Sequence, residues 1–367
     1  MTARTLDADI AFPAQCELAE GPLWDASRGL LRWVDILPGR VHALDVTSGT
    51  HRSFGVGDTV GTVGLTRSGG LVLALAGGFA LSGPDGQDLR PFGDFSVDRS
   101  VTRFNDGKPD PWGSFWAGTM AVPEDSGLPS SLYRLSPDGV VTELFGGVGL
   151  SNGLDWSDDR RVFYYSDSHA GGVDAFDTDP DTGALSGRRL FAEVTGGVPD
   201  GLTLDAEGCL WLAVWGSSEL RRYTPDGRLD TIVKLPVSQV SSAAFGGTDL
   251  STLYITTARE NFTPADLAAE PHAGDIFACT PGVTGRPPFL FGSTGVSAAG
   301  GVLSSGGADA GSRCRPTPAR VRSRRSSWPG ERGEPSRSGH PPSGGDSRGG
   351  RPCGRDPACR RGSPASR

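Results

Sequence analysis

Ser151-Asn152-Gly153-Leu154-Asp155-Trp156, then Ser157-Asp158-Asp159-Arg160, then Val162-Phe163-Tyr164-Tyr165 is the stretch from which the fold is read. A polar residue and a glycine open it, a short apolar strand follows, the chain turns on Ser and Asp, and an aromatic strand returns. Ser and Asp side chains bond their own backbone and so favour turns. Aromatic and β-branched residues suit a pleated, half-buried surface. Upstream the same pattern appears in Gly21-Pro22-Leu23-Trp24-Asp25 before Leu30-Leu31-Arg32-Trp33-Val34, in Val63-Gly64-Leu65-Thr66 before Leu71-Val72-Leu73-Ala74, and in Asn105-Asp106-Gly107-Lys108 before Ser114-Phe115-Trp116-Ala117. Downstream it appears in Asp200-Gly201-Leu202-Thr203-Leu204 before Leu210-Trp211-Leu212-Ala213, and in Ser242-Ala243-Ala244-Phe245 before Leu253-Tyr254-Ile255-Thr256.

The copies recur every roughly 40 to 50 residues, the period of four-stranded propeller blades. Further hairpins lie between them, such as Leu132–Leu135 before Ser136-Pro137-Asp138-Gly139 and Leu220–Tyr223 before Thr224-Pro225-Asp226-Gly227. Asp-Gly tolerates the positive φ that tight hairpin turns require. No segment sustains helical periodicity. The expectation is an all-β, six-bladed β-propeller over residues 1–292. Ile10-Ala11-Phe12 would be a strand closing the last blade and hiding its edge. Ile276-Phe277 and Pro288-Phe289-Leu290 would complete the sixth blade.

Residues 293–367 are of another kind, rich in Gly, Ser, Pro and Arg, with Trp328 as the one aromatic. They cannot bury enough apolar surface to offset the entropy of ordering, so a disordered tail is expected. Its bias resembles GC-rich DNA translated in another frame. The tail holds 14 Arg against five acids, a formal +9, so the body carries −17 of the overall −8. An acidic body argues against nucleic acid or an anionic membrane as partner and is compatible with a cation site. No run of 18 apolar residues and no apolar segment in Met1–Ile10 is present, so a cytoplasmic protein without signal peptide or membrane span is expected. Cys16, Cys209 and Cys279 have no metal-ligand spacing and read as buried reduced thiols.

In a propeller the first strand of each blade lines the central channel. Here those strands start at Glu20, Val60-Gly61-Thr62, Asn105, Asn152, Asp200 and Ser241 or Ser242. Asn-Gly and Asp-Gly also form ordinary turns, but one register shared by several repeats argues for a common role. Carboxylates and amides converging on one channel would repel or stay unpaired unless a cation compensates. All are oxygen donors, which favours a hard ion such as Ca²⁺, Mg²⁺ or Mn²⁺; Zn²⁺ is compatible through carboxylates.

These segments resemble the SMP-30/gluconolactonase/regucalcin family. The matching runs are Ala19-Glu20-Gly21-Pro22-Leu23-Trp24, Arg103-Phe104-Asn105-Asp106-Gly107-Lys108 with Asp110, Ala117-Gly118-Thr119-Met120, Ser151–Trp156 and Pro199-Asp200-Gly201, covering roughly residues 10 to 292. The resemblance implies one divalent metal, most simply Ca²⁺, held by Glu20, Asn152 and Asp200, with Arg103 and Asn105 on the substrate. Vertebrate members carry a substrate-contacting Glu three residues after the Met; here that position is Pro123 and Glu124 follows it, so Glu124 is taken as the substitute contact. The expected activity is hydrolysis of a sugar lactone, with Asp200 as general base. A calcium-binding regulatory protein without turnover, and a scaffold propeller binding protein partners, are the alternatives. His169 could rim the pocket or be a plain loop residue. Trp33, Trp156 and Trp211 are expected in the core. Lys108 either orients a substrate oxygen or pairs with Asp106 or Asp110.

Overall fold

The computed structural model describes residues 3–293. The expected tail, apart from Ser293, lies outside the described residues. Six antiparallel sheets follow one another along the chain, five of four strands and one of five. Their innermost strands are Ala19–Asp25, Val60–Leu65, Thr102–Pro109, Ser151–Trp156, Val198–Leu204 and Val240–Gly246. Each packs against the next, and the last against the first, closing a ring around a central channel. This is a six-bladed β-propeller.

The core is divided into wedges between neighbouring blades. Trp211, Leu220, Val240 and Phe277 fill one wedge, and Trp116, Leu154, Trp156 and Phe163 another. Trp33, Trp156 and Trp211 are fully buried, as expected. The turn acids Asp110 and Asp205 act alike in two blades. Asp110 accepts from the Trp112 and Ser114 amides and from Trp116 Nε1 at 2.7 Å; Asp205 accepts from the Glu207 and Cys209 amides and from Trp211 Nε1 at 3.0 Å. Each carboxylate thereby satisfies the one polar atom of a buried Trp.

The ring is closed by the N-terminal segment. Asp9–Phe12 pairs antiparallel with Ile276–Cys279 as the outermost strand of the sixth blade. Arg4–Asp7 adds in parallel to Leu229–Lys234, giving the fifth blade its extra strand. Pro288-Phe289-Leu290, expected to complete the sixth blade, forms no strand. Pro287 and Pro288 have no N–H to donate to a ladder, and Arg286 pairs with Asp155 of the fourth blade. From there the chain crosses the channel floor: Phe289 packs on Trp156, the Phe291 amide donates to Leu65 O at 2.9 Å, and Gly292 to Gly113 O at 2.9 Å. Lys108 ends on this floor too. Its Nζ reaches Asp155 Oδ2 at 3.2 Å and Leu202 O at 3.1 Å, so its ion-pair partner is Asp155 and not the expected Asp106 or Asp110.

Candidate active site at the channel mouth

All six innermost strands slip register near their starts, between Glu20 and Leu23, Val60 and Thr62, Phe104 and Gly107, Ser151 and Leu154, Pro199 and Leu202, and Val240 and Ser242. Such bulges bend a strand and re-aim its side chains. Asn105, Asn152 and Asp200 lie inside these irregularities and Glu20 at the edge of its own. Two of the glycines that follow are required by the closeness of the next blade. A Cβ on Gly153 would stand 2.6 Å from Asp200 O, and one on Gly201 2.2 Å from Ser242 Oγ. The polar-residue-then-glycine signature thus describes a strand start that aims a side chain inward while letting the neighbouring strand close up.

Glu20, Arg103, Asn105, Glu124, Asn152 and Asp200 all line one cavity of about 330 Å³, opposite the floor. Leu18, Ile36, Met120, Leu150 and Trp215 supply its apolar walls. Asn105 Nδ2 donates to Ser151 O at 3.0 Å and lies 3.4 Å from Asn152 Oδ1; Asn152 Nδ2 donates to Ser168 Oγ at 3.0 Å. Those bonds leave the Asn152 carbonyl oxygen on the channel side of its amide. Arg103 donates to Asn105 Oδ1 at 2.8 Å and to Phe104 O at 3.0 Å. His169, on a single turn of 3₁₀ helix, sets Nε2 3.2 Å from Glu124 Oε1 at the exposed rim.

The electrostatics are unbalanced. Burial raises the Glu20 carboxyl to about 8, and repulsion from Asp106 adds to this; the Gly21 amide and Arg103 offset only part. Burial also raises Asp200 well above the carboxylate range, with Glu20 and then Asp106 pushing the same way. Asp106 is raised by burial. The two nearest cations are engaged elsewhere, Lys108 with Asp155 and Arg103 with Asn105. Arg103 and Lys108 thus offset only part of the repulsion and neither pairs directly with Glu20, Asp106 or Asp200, and such an undercompensated buried group of carboxylates is suited to a cation. The donor atoms here, carboxylate and amide oxygens only, fit a hard divalent ion.

Two contributors escaped the sequence reading. Asp106 sits directly after Asn105 and lines the pocket on the floor side beside Lys108, yet its charge pushes both Glu20 and Asp200 upward. Glu260 lines the cavity from the segment between Thr252–Thr257 and Ile276–Cys279, which has no counterpart in the other blades and so no repeat to flag it. Burial raises Glu260 and Arg103 partly offsets the rise.

Residues 18–259 match the SMP-30/Gluconolactonase/LRE-like region. The chain belongs to this family. Among its SMP-30/gluconolactonase relatives, regucalcin of Oryctolagus cuniculus is 38% identical over 297 residues, spanning 78% of this chain and 99% of its own. A 6-deoxy-6-sulfogluconolactonase of Pseudomonas putida is 37% identical over 276 residues, spanning 75% of this chain and 94% of its own. A solved structure of the family, a calcium-binding regucalcin from Agrobacterium tumefaciens, superposes with a TM-score of 0.74 at 27% identity, covering 79% of this chain and 99% of that one. Gluconolactonase-like members therefore surround this chain in sequence and in fold.

Proposed function

We propose that the protein hydrolyses a sugar lactone to the open hydroxy acid and that the reaction depends on a divalent metal, Ca²⁺ being the first candidate. The observation that carries this reading is a pair of buried carboxylates, Glu20 and Asp200, that line one cavity of sugar size, lie close enough for Glu20 to raise Asp200, and form no ion pair among the described residues. Glu20, Asn152 and Asp200 would hold the ion, which supplies Lewis-acid polarisation of an ester carbonyl when bound. Asp200, buried in the cavity wall, takes a proton from the attacking water. Water's oxygen joins the carbonyl carbon, the ring C–O bond breaks, and the released ring oxygen takes up the proton. Arg103 and Asn105 orient the ring by hydrogen bonds to its oxygens, which lowers the entropic part of the barrier. Glu124 and Glu260 accept from sugar hydroxyls at the rim, while Trp215 and Met120 cover an apolar face and exclude water.

The test is a panel of aldonolactones followed by proton release, using chelator-stripped protein with Ca²⁺, Mg²⁺, Mn²⁺ or Zn²⁺ restored one at a time. Turnover that needs metal and disappears in Asp200→Ala supports the assignment. Turnover surviving in Asp200→Ala at the wild-type rate overturns Asp200 as base. The Agrobacterium relative is described as calcium-binding, which favours calcium binding without turnover as the second reading. Tight Ca²⁺ binding with no hydrolysis across the panel would decide for it.

A further inference from the structure

A second cluster of ligand-bearing side chains lies away from the channel. Cys16, Asp35 and His42 each bring one ligand atom to within 4.8 Å of the others, and all three are buried. They come from different elements. Cys16 lies on the crossover from the closing strand Asp9–Phe12 to the first blade, Asp35 ends the strand Leu30–Asp35, and His42 lies in Arg40–Asp45. Trp33 covers the group: its Nε1 donates to Cys16 Sγ at 3.4 Å, and its ring stacks on His42 with centroids 5.0 Å apart.

Hydrogen bonding accounts for most of these atoms but not all. Asp35 accepts from the Leu18 amide at 2.9 Å and the Glu17 amide at 3.2 Å, which fixes its carboxylate against the crossover. His42 Nδ1 lies 2.9 Å from His51 Nε2. The remaining ring nitrogen, Nε2, is buried and has no partner. A buried polar atom without a partner is costly, so a ligand on it would be favoured. With Nδ1–H donating to His51, Nε2 carries the lone pair. That is the arrangement of a metal-bound imidazole, whose other ring nitrogen donates to a supporting group.

We propose that Cys16, Asp35 and His42 form a buried site for a thiophilic divalent metal, Zn²⁺ by preference, that ties the ring-closing crossover to the first blade. A sulfur, a nitrogen and an oxygen suit zinc, whereas the all-oxygen channel set suits a hard ion. A tetrahedral zinc with bonds of about 2.0 to 2.3 Å holds its ligand atoms roughly 3.4 to 3.7 Å apart, so closure requires side-chain movements of about 1 Å. The fourth position falls to the second Asp35 oxygen or a water. Binding exchanges the Cys16 proton for the metal, giving a thiolate–metal bond and one released proton.

The test uses the full chain, stripped with chelator and titrated with Co²⁺ alone. Thiolate-to-cobalt charge-transfer absorption reports this site, because the channel ligands include no sulfur. The expected result is absorption that saturates with added Co²⁺, is bleached by Zn²⁺, is reduced at least tenfold in Cys16→Ala and in His42→Gln, and is retained in Asp200→Asn. If Cys16→Ala fails to fold, His42→Gln decides. Absence of the absorption in the wild type, its persistence in the two cluster variants (cobalt then resting on other thiols), or its loss in Asp200→Asn would each overturn the proposal.

Discussion

Glu20→Gln should stabilise the metal-free protein while abolishing its response to metal. Gln keeps the shape of Glu20 and can still accept from the Gly21 amide, now 2.9 Å from Oε2. What it removes is an acid raised from an ordinary 4.5 to about 8, chiefly by burial and then by Asp106. The sign follows from linkage. A carboxyl raised on folding binds a proton that the unfolded chain has released, so its contribution falls as pH rises above 4.5. Each pH unit between 4.5 and 7 costs about 1.4 kcal/mol, roughly 3 kcal/mol at neutral pH. Gln never ionises in the unfolded chain and escapes that cost. At about 2.1 cal/mol/K per residue, a body of about 290 residues has an unfolding entropy near 0.6 kcal/mol/K, so 3 kcal/mol corresponds to about 5 °C. Relief of Asp200, which Glu20 also pushes upward, acts in the same direction. The assay is thermal unfolding in chelator at pH 4.5, 7 and 8 and again with saturating Ca²⁺. The variant should gain nothing at pH 4.5 and about 5 °C at pH 7, with no further shift on adding Ca²⁺. A pH-independent difference, a lowered Tm in chelator, or an undiminished Ca²⁺ response would refute the electrostatic account.

Arg103→Ala removes a charge-assisted contact worth about 1.5 to 3 kcal/mol, so KM for the lactone should rise ten- to a hundredfold while the Ca²⁺-induced Tm shift stays; loss of that shift would make Arg103 a support of the metal ligands instead. Asp155→Asn deprives Arg286 and Lys108 of their shared counter-charge, and disrupting a buried pair costs about 3 to 5 kcal/mol, or roughly 5 to 8 °C for a body of this size. Burial raises Asp155, but Arg286 and Lys108 outweigh it and hold the carboxyl below its usual range; its stabilisation is present above about pH 4 and lost as pH falls through the lower folded value, so the Tm gap between wild type and Asp155→Asn should narrow as pH is lowered below about 4. A chain ending after Ser293 should keep the wild-type Tm and activity per molecule, whereas one ending after Thr284 loses Arg286 and Phe289 from the channel floor and should melt several degrees earlier; a destabilised 293-residue chain would show that residues beyond it belong to the fold.

Blade number and channel lining were legible because the blades repeat related requirements: a tight turn before an apolar return strand, which in the third and fifth blades pairs an acid with a buried Trp, and a strand start narrow enough for its neighbour. The paired roles of Asn152-Gly153 and Asp200-Gly201 show why the signal was visible, since the first residue faces the cavity and the second admits the next strand. What lay outside the repeat was illegible. Asp106 acts through its charge from the floor side, Glu260 depends on an insertion, and Arg286 on an ion pair to a residue 131 positions away. Pro288-Phe289-Leu290 had the apolar content of a strand, but two prolines and the Arg286–Asp155 pair route it across the floor. The Cys16, Asp35 and His42 grouping has no sequence spacing to announce it, because strand pairing assembles it: Trp33 lies opposite His42, and Asp35 opposite Ala19.

Ring closure by the N-terminus sets a schedule for biosynthesis. Ile10 pairs with Phe277, so this strand waits for a partner made 267 residues later. At about 5 to 20 residues per second that wait is roughly 13 to 53 seconds on the ribosome. Throughout it, Ile10 and Phe12 stand on a nascent chain whose blades can form one by one while the circle stays open. A segment that must remain unpaired so long is exposed to mispairing with other copies and to capture by chaperones that bind extended apolar peptide. A late, slow event in making this propeller is therefore the pairing of Asp9–Phe12 with Ile276–Cys279.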